Sequence, residues 1–214
     1  MPATRILVVD DHPIVRLGIR QMLSADASLS ICGEAESASD ALRLARSAKA
    51  DLAIVDLSLG QGSGLELIKA LHAELPQLPV LVLSMHDEAL FAERVLRAGA
   101  RGYIMKHEAI AGLIGAIRQV MSGRIYVSER MAQRLLERLG SNQELAGGRL
   151  GNLTDRELEV FQLIGRGLGT AAIAVELEIS IKTVETYRSN IKTKLELKDA
   201  ADLIRYAVSW TEER

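Results

Sequence analysis

The chain has a single cysteine, Cys32, in 214 residues. No intramolecular disulfide can form, and a reducing compartment is expected. No apolar run approaches the roughly 20 residues of a membrane-spanning helix. The first residues, Met1-Pro2-Ala3-Thr4-Arg5, lead straight into a strand pattern without the layout of a signal peptide. A cytoplasmic protein with no membrane partner is therefore expected. Charge of neither sign is in excess: 26 Lys and Arg face 28 Asp and Glu, a formal net charge of −2, so no global field draws the chain to nucleic acid or membrane. Nucleotide loops are missing too. Gly60, Gly62 and Gly64 are not followed by the Gly-Lys-Ser/Thr of a P-loop, nor do they follow the first strand as the dinucleotide fingerprint requires. His12, His72, His86 and His107 lack metal-ligand spacing and read as surface or edge residues. Cys32 reads as core.

What is present is an alternation. Ile6-Leu7-Val8-Val9 is a short apolar run closed by Asp10-Asp11-His12-Pro13, with Pro13 suited to a first helical turn and Asp11 to its cap. Ile14, Leu17, Ile19, Met22 and Leu23 follow at helical spacing. Strands are expected near Ser30–Ala35, ending at Asp56, over Val80–Leu83 and over Gly102–Met105. Helices are expected over Ser39–Ala48 with Leu42 and Leu44 buried, Leu65–Glu74, Glu88–Arg97 and Ala109–Met121. Five β-α units in about 120 residues imply an α/β domain, a parallel sheet covered by helices on both faces.

The strand ends carry the chemistry. Asp10 and Asp11, Asp56, Ser84 and Lys106 finish four of the five strands, and in a parallel sheet these ends share one edge. Any one of them alone reads as a helix cap, a turn residue or a solvated charge. Together they converge in one crevice. Three close carboxylates repel unless a cation lies between them, and oxygen ligands with room for water suit Mg²⁺. A Lys and a hydroxyl facing that metal suit a phosphoryl group under attack by a carboxylate, giving an aspartyl phosphate.

Val8-Val9-Asp10-Asp11-His12, Asp56, Ser84 and Gly102-Tyr103-Ile104-Met105-Lys106 resemble the receiver domain of bacterial two-component response regulators, over about residues 4 to 124. The resemblance implies a flavodoxin-like five-stranded parallel sheet with Asp56 as phosphoacceptor. It implies Mg²⁺ held by Asp11, Asp56 and the backbone carbonyl of Ser58, with Asp10 helping through water. Lys106 would contact the phosphoryl group, Ser84 would move to bond it, and Tyr103 would rotate inward behind Ser84. The chain departs from the family at Leu59-Gly60, where many receivers carry Met-Pro.

Ser128–Leu139 has helical character, with Met131, Leu135 and Leu136 on one side. The Gly- and polar-rich stretch Gly140–Arg149 reads as a tether. Beyond it the pattern is all helical. Thr154 and Glu157 have capping-box spacing ahead of Leu158, Val160, Phe161 and Ile164. Thr170 suits the cap of a second helix, Ala171–Leu177. A third helix is expected over Ile181–Leu195 and a fourth over Asp199–Val208. Two helices joined by a tight turn, the second bearing cations, suggest a helix-turn-helix. Residues 149–214 hold ten Lys and Arg against eleven Asp and Glu, so this half is not basic as a whole. Lys182, Arg188, Lys192 and Lys194 nevertheless form a local cationic stripe with Glu185 among them.

Leu153-Thr154-Asp155-Arg156-Glu157-Leu158-Glu159-Val160, Ile173-Ala174 and the run from Ile179 to Ile191 resemble the LuxR-type helix-turn-helix. A receiver followed by this domain is similar to the NarL/FixJ family of transcriptional regulators. The resemblance implies a receiver at 1–124, a linker with a helix at 125–151 and a DNA-binding domain at 152–214. Lys182, Thr183, Glu185, Thr186, Arg188 and Ser189 would face the major groove or its phosphates, with Lys192 and Lys194 near the backbone. Val184 and Ile191 would be core. Thr170-Ala171-Ala172 stands where many members carry Asn-Lys-Glu, so one phosphate contact is missing and DNA affinity would be lower or lean on dimerisation. The implied partners are a sensor histidine kinase, double-stranded DNA, RNA polymerase and a second copy of the chain once phosphorylated. No turnover of an external substrate is expected. An Asp-nucleophile phosphatase would need a second Asp two residues after the nucleophile, where Ser58 stands. A phosphorylation-independent regulator or adaptor on the same fold is the alternative.

Overall fold

The structure is a computed structural model and describes residues 3–60, 62–140 and 148–212. It divides into two compact units, Met1–Glu137 and Arg138–Arg214. The first runs β1 (Thr4–Val9), α1 (Pro13–Leu23), β2 (Leu29–Ala35), α2 (Ala38–Ser47) and β3 (Leu52–Val55). A two-residue-stranded hairpin of β4 (Ser58–Leu59) and β5 (Gly62–Ser63) comes next. Then follow α3 (Gly64–Glu74), β6 (Val80–Ser84), α4 (Glu88–Arg97), β7 (Gly102–Met105), α5 (Ala109–Met121) and α6 (Glu129–Gly140), whose last residues belong to the second unit.

The main sheet has strand order β2-β1-β3-β6-β7, with every neighbouring pair parallel. The order reverses between β1 and β3, so the crevice beyond their carboxyl ends is the place where such sheets hold ligands. Ile6–Val9, Leu52–Val55 and Val80–Leu83 are at most 2% exposed, which explains why these strands are apolar on both faces.

Several local expectations are corrected. His12, not Asp11, takes the cap position of α1, and its side chain makes no cap bond. Asp10 Oδ1 instead accepts the His12 backbone N–H at 2.9 Å. Ile14 and Leu17 are 72% and 54% exposed, so α1 buries a narrower stripe through Ile19 and Leu23. Ala41 and Ala45 are the buried residues of α2, while Leu42 and Leu44 are half-buried, because α2 lies against edge strand β2 and its larger side chains reach the rim. Cys32, on that edge strand, is half-buried rather than core. On α6, Met131 is buried but Leu136 is 67% exposed. The start of the expected linker is stitched to the sheet: Tyr126 bridges to Gly102, and the Ser128 N–H donates to Glu88 Oε1 at 2.8 Å. Of the expected tether, residues 141–147 lie outside the described residues, and Gly148–Asn152 forms a 3-10 turn.

The second unit continues with α7 (Asp155–Gly165), α8 (Thr170–Glu176), α9 (Ile181–Lys194) and α10 (Ala200–Glu212). Thr154 and Glu157 form the capping box at the start of α7. Gly169 takes the cap position of α8, so Thr170 is its first helical residue and not its cap. Phe161 on α7 meets Tyr206 and Trp210 on α10 with ring centroids 5.8 and 6.2 Å apart. Those two rings, four residues apart on one helix face, carry α10 beyond Val208 to Glu212. A Cβ at Gly165 would stand 2.6 Å from the Ala207 carbonyl oxygen, so the close approach of α7 and α10 requires glycine there.

Candidate functional site

Asp10 follows β1 and Asp56 follows β3. The register sets Val9 beside Val55, one residue before each acid, and the Asp56 N–H donates to the Val9 carbonyl at 2.8 Å. Both acids are buried, at 1% and 3% exposure. Lys106, after β7, reaches across: its Nζ lies 2.6 Å from Asp56 Oδ2 and 2.8 Å from Asp10 Oδ2. Burial pushes the Asp56 carboxyl up to about 6; Lys106 pulls it down and Asp10 pushes it up further. Burial also works against the Lys106 charge, but the two carboxylates outweigh it and hold the ammonium above its ordinary range.

One ligand oxygen or nitrogen from each of Asp10, Asp11, His12 and Asp56 falls within a cluster whose atoms all lie within 4.8 Å of one another. Lys106 approaches Asp10 Oδ2, and His12 Nδ1 stands 2.6 Å from Asp11 Oδ1. Asp10 Oδ2 is thus ion-paired with Lys106, and neither it nor Asp11 Oδ1 has a partner in full hydrogen-bond geometry. Three carboxylates gathered in one pocket fit Mg²⁺, which takes oxygen ligands.

Ser84 is fully buried at the end of β6, and its Oγ accepts the His86 N–H at 3.1 Å. Tyr103 is fully buried on β7 and donates its hydroxyl to the His86 carbonyl at 2.7 Å. Burial holds that hydroxyl well above its ordinary pKa, so it remains a neutral donor.

In the second unit, α9 starts with Ser180 capping the Thr183 N–H at 3.0 Å. Val184 and Ile191 are fully buried, as expected. Lys182, Glu185, Thr186 and Ser189 are exposed; Thr183, Arg188, Lys192 and Lys194 are half-buried. Three of the eight residues bond partners in their own unit, Thr186 through its Oγ1 to the Lys182 carbonyl at 3.0 Å. The Thr183 hydroxyl bonds Ser180 Oγ at 2.7 Å, and Lys194 Nζ bonds Glu157 Oε2 at 2.7 Å.

Residues 6–118 match the family model described as the response regulator receiver domain, and residues 151–207 match that of bacterial regulatory proteins of the luxR family. The chain belongs to the LuxR-type two-component response regulators. It is 37% identical over 203 residues to the transcriptional activator protein ExaE of Pseudomonas putida, with 95% of each chain covered. It is 35% identical over 214 residues to the oxygen regulatory protein NreC of Staphylococcus aureus, with 95% of this chain and 96% of the relative covered. Among solved structures it resembles RcsB from Salmonella enterica serovar Typhimurium bound to promoter rprA in the presence of phosphomimetic BeF3⁻. That match has a TM-score of 0.62 and 26% identity, and covers 96% of this chain and 98% of that one. No helix among the described residues is long and apolar enough to cross a membrane.

Two parts of this response regulator's site escape sequence reasoning. His86 is 8% exposed, not a surface residue. Its Nε2 lies 2.9 Å from Ser58 Oγ, its ring packs 4.8 Å from Phe91, and its backbone holds both Ser84 and Tyr103. It ties the loop after Asp56 to the end of β6, a contact across 28 residues that no local pattern announces. Gly64 is the second. Its N–H donates to the Leu57 carbonyl at 2.9 Å, and a Cβ there would stand 2.1 Å from the Asp56 carbonyl oxygen. The glycine lets α3 start against the backbone of the acidic loop.

Proposed function

We propose that this response regulator is switched by phosphorylation of Asp56 and, so switched, binds specific DNA as a dimer to control transcription. The observation that carries the reading is the placement of Lys106 Nζ 2.6 Å from Asp56 Oδ2 and 2.8 Å from Asp10 Oδ2, in a pocket that gathers the Asp10, Asp11 and Asp56 carboxylates. A sensor histidine kinase supplies the phosphoryl group. Asp11, Asp56 and the Ser58 carbonyl, assisted by Asp10, would hold Mg²⁺, which would supply charge neutralisation at the phosphoryl oxygens. Asp56 is the nucleophile, Lys106 neutralises a phosphoryl oxygen, and Ser84 turns its hydroxyl toward that group. Turning Ser84 releases the His86 N–H, and with Tyr103 on the His86 carbonyl this repositions the start of α4.

Residues 1–124 form the receiver, 125–151 the connecting segment and 152–214 the DNA-binding domain. Lys182, Thr183, Glu185, Thr186, Arg188 and Ser189 address the major groove, with Lys192 and Lys194 near the phosphates. The RcsB complex with promoter DNA and a phosphomimetic supports both halves of this reading. RNA polymerase is the downstream partner, and the chain acts in the cytoplasm. The receiver turns over nothing but its own phosphoryl group. Fluorescence anisotropy on promoter DNA, with and without acetyl phosphate and Mg²⁺, tests the switch. Wild type gains affinity on phosphorylation and Asp56→Asn does not. An equal gain in the mutant refutes the reading, and DNA binding that never depends on the phosphodonor favours a phosphorylation-independent regulator.

A further inference from the structure

DNA repels a carboxylate, yet α9 carries one acid, Glu185. It is exposed, and so are Lys182 three residues before it and Ser189 four residues after it, which share its face at helical spacing. Thr186 Oγ1 donates to the Lys182 carbonyl at 3.0 Å and Thr193 Oγ1 to the Ser189 carbonyl at 3.2 Å, so both hydroxyl protons are engaged within the helix. Lys182 and Arg188 stand at i−3 and i+3 from Glu185, a spacing that allows ion pairs. Among the described residues Glu185 pairs with neither, and it has no other hydrogen-bond partner. Its carboxylate is therefore an exposed acceptor with no donor, on the helix face that the proposed function turns toward base edges.

The major groove offers few donors to such a group. Guanine shows two acceptors there, and thymine an acceptor and a methyl. Adenine places its N6 donor beside the N7 acceptor, which opposes an anion. Cytosine shows the N4 amino donor alone. We propose that Glu185 is a specificity-determining residue that accepts a hydrogen bond from cytosine N4, so that each DNA half-site carries a required C·G pair. This rests on the DNA-binding reading above. If Glu185 were only a solvated charge, it would lower affinity for every sequence alike and select no base.

The test selects bound duplexes from a randomised double-stranded DNA library. It uses the full chain with acetyl phosphate and Mg²⁺, as wild type, Glu185→Ala and Glu185→Gln. Wild type enriches a two-fold motif with one fixed C·G pair per half-site. Glu185→Ala levels that position, losing roughly five- to hundredfold discrimination there, and keeps the rest of the motif. Glu185→Gln moves the same position toward A·T, since Gln pairs with adenine N6 and N7. The same motif from all three proteins, or a uniform gain in affinity for Glu185→Ala, overturns the proposal while leaving DNA binding intact. No motif from wild type refutes the DNA-binding reading itself.

Discussion

Asp56 must be ionised both to ligate a cation and to attack, but burial raises its carboxyl from 3.8 to about 6. The native chain therefore holds a proton between about pH 4 and pH 6 that the unfolded chain has released. Stability from this group falls as pH rises through that window and is flat above it. Cation binding follows the opposite slope. The rise in melting temperature on adding Mg²⁺ should be small at pH 5 and large at pH 7, and Asp56→Asn should flatten the difference. An equal Mg²⁺ effect at both pH values contradicts the placement of the cation on Asp56. The acids were legible from sequence because each ends an apolar run and the sheet brings those ends together. His86 was not, because its role comes from contacts with Ser58, Ser84, Tyr103 and Phe91 that only the folded loops create.

At the scale of elements, α3 starts at Gly64 against the backbone that follows Asp56. A methyl group there would press on the Asp56 carbonyl oxygen at 2.1 Å and force the backbone to move. Gly64→Ala should cost about 1–3 kcal/mol in denaturant unfolding and slow phosphorylation of Asp56. Wild-type phosphorylation in this variant would show that the turn does not position the acceptor. The sequence marked a glycine-rich turn here, but not that β4 and β5 pair, since two-residue strands have no periodicity to read. In the second unit Lys194 bonds Glu157, which also closes the capping box of α7. Burial raises the Glu157 carboxyl, but the bonds from Lys194 and Thr154 outweigh it and hold it below the ordinary glutamate range. That stabilisation is present above the ordinary range and lost as pH falls through the lowered value. Lys194→Met should destabilise the protein by about 1–2 kcal/mol at pH 7, a gap that closes in acid. An unchanged unfolding midpoint would return Lys194 to the role of a free phosphate contact. Capping-box spacing was readable in the sequence, whereas the reach of Lys194 back to it, across 37 residues, was not.

At the scale of the whole molecule, the alternation of five β-α units and the later run of helices announced a parallel α/β fold followed by an all-helical part. The strand order and the bridge of Tyr126 to Gly102 emerge only from packing. The central claim is that the crevice at the carboxyl edge of the sheet converts Asp56 into an aspartyl phosphate. Intact mass after incubation with Mg²⁺ and either acetyl phosphate or a phosphorylated sensor kinase tests it most directly. The account predicts a gain of one phosphoryl group in wild type and none in Asp56→Asn. No gain in wild type from either donor, or an equal gain in Asp56→Asn, would contradict it.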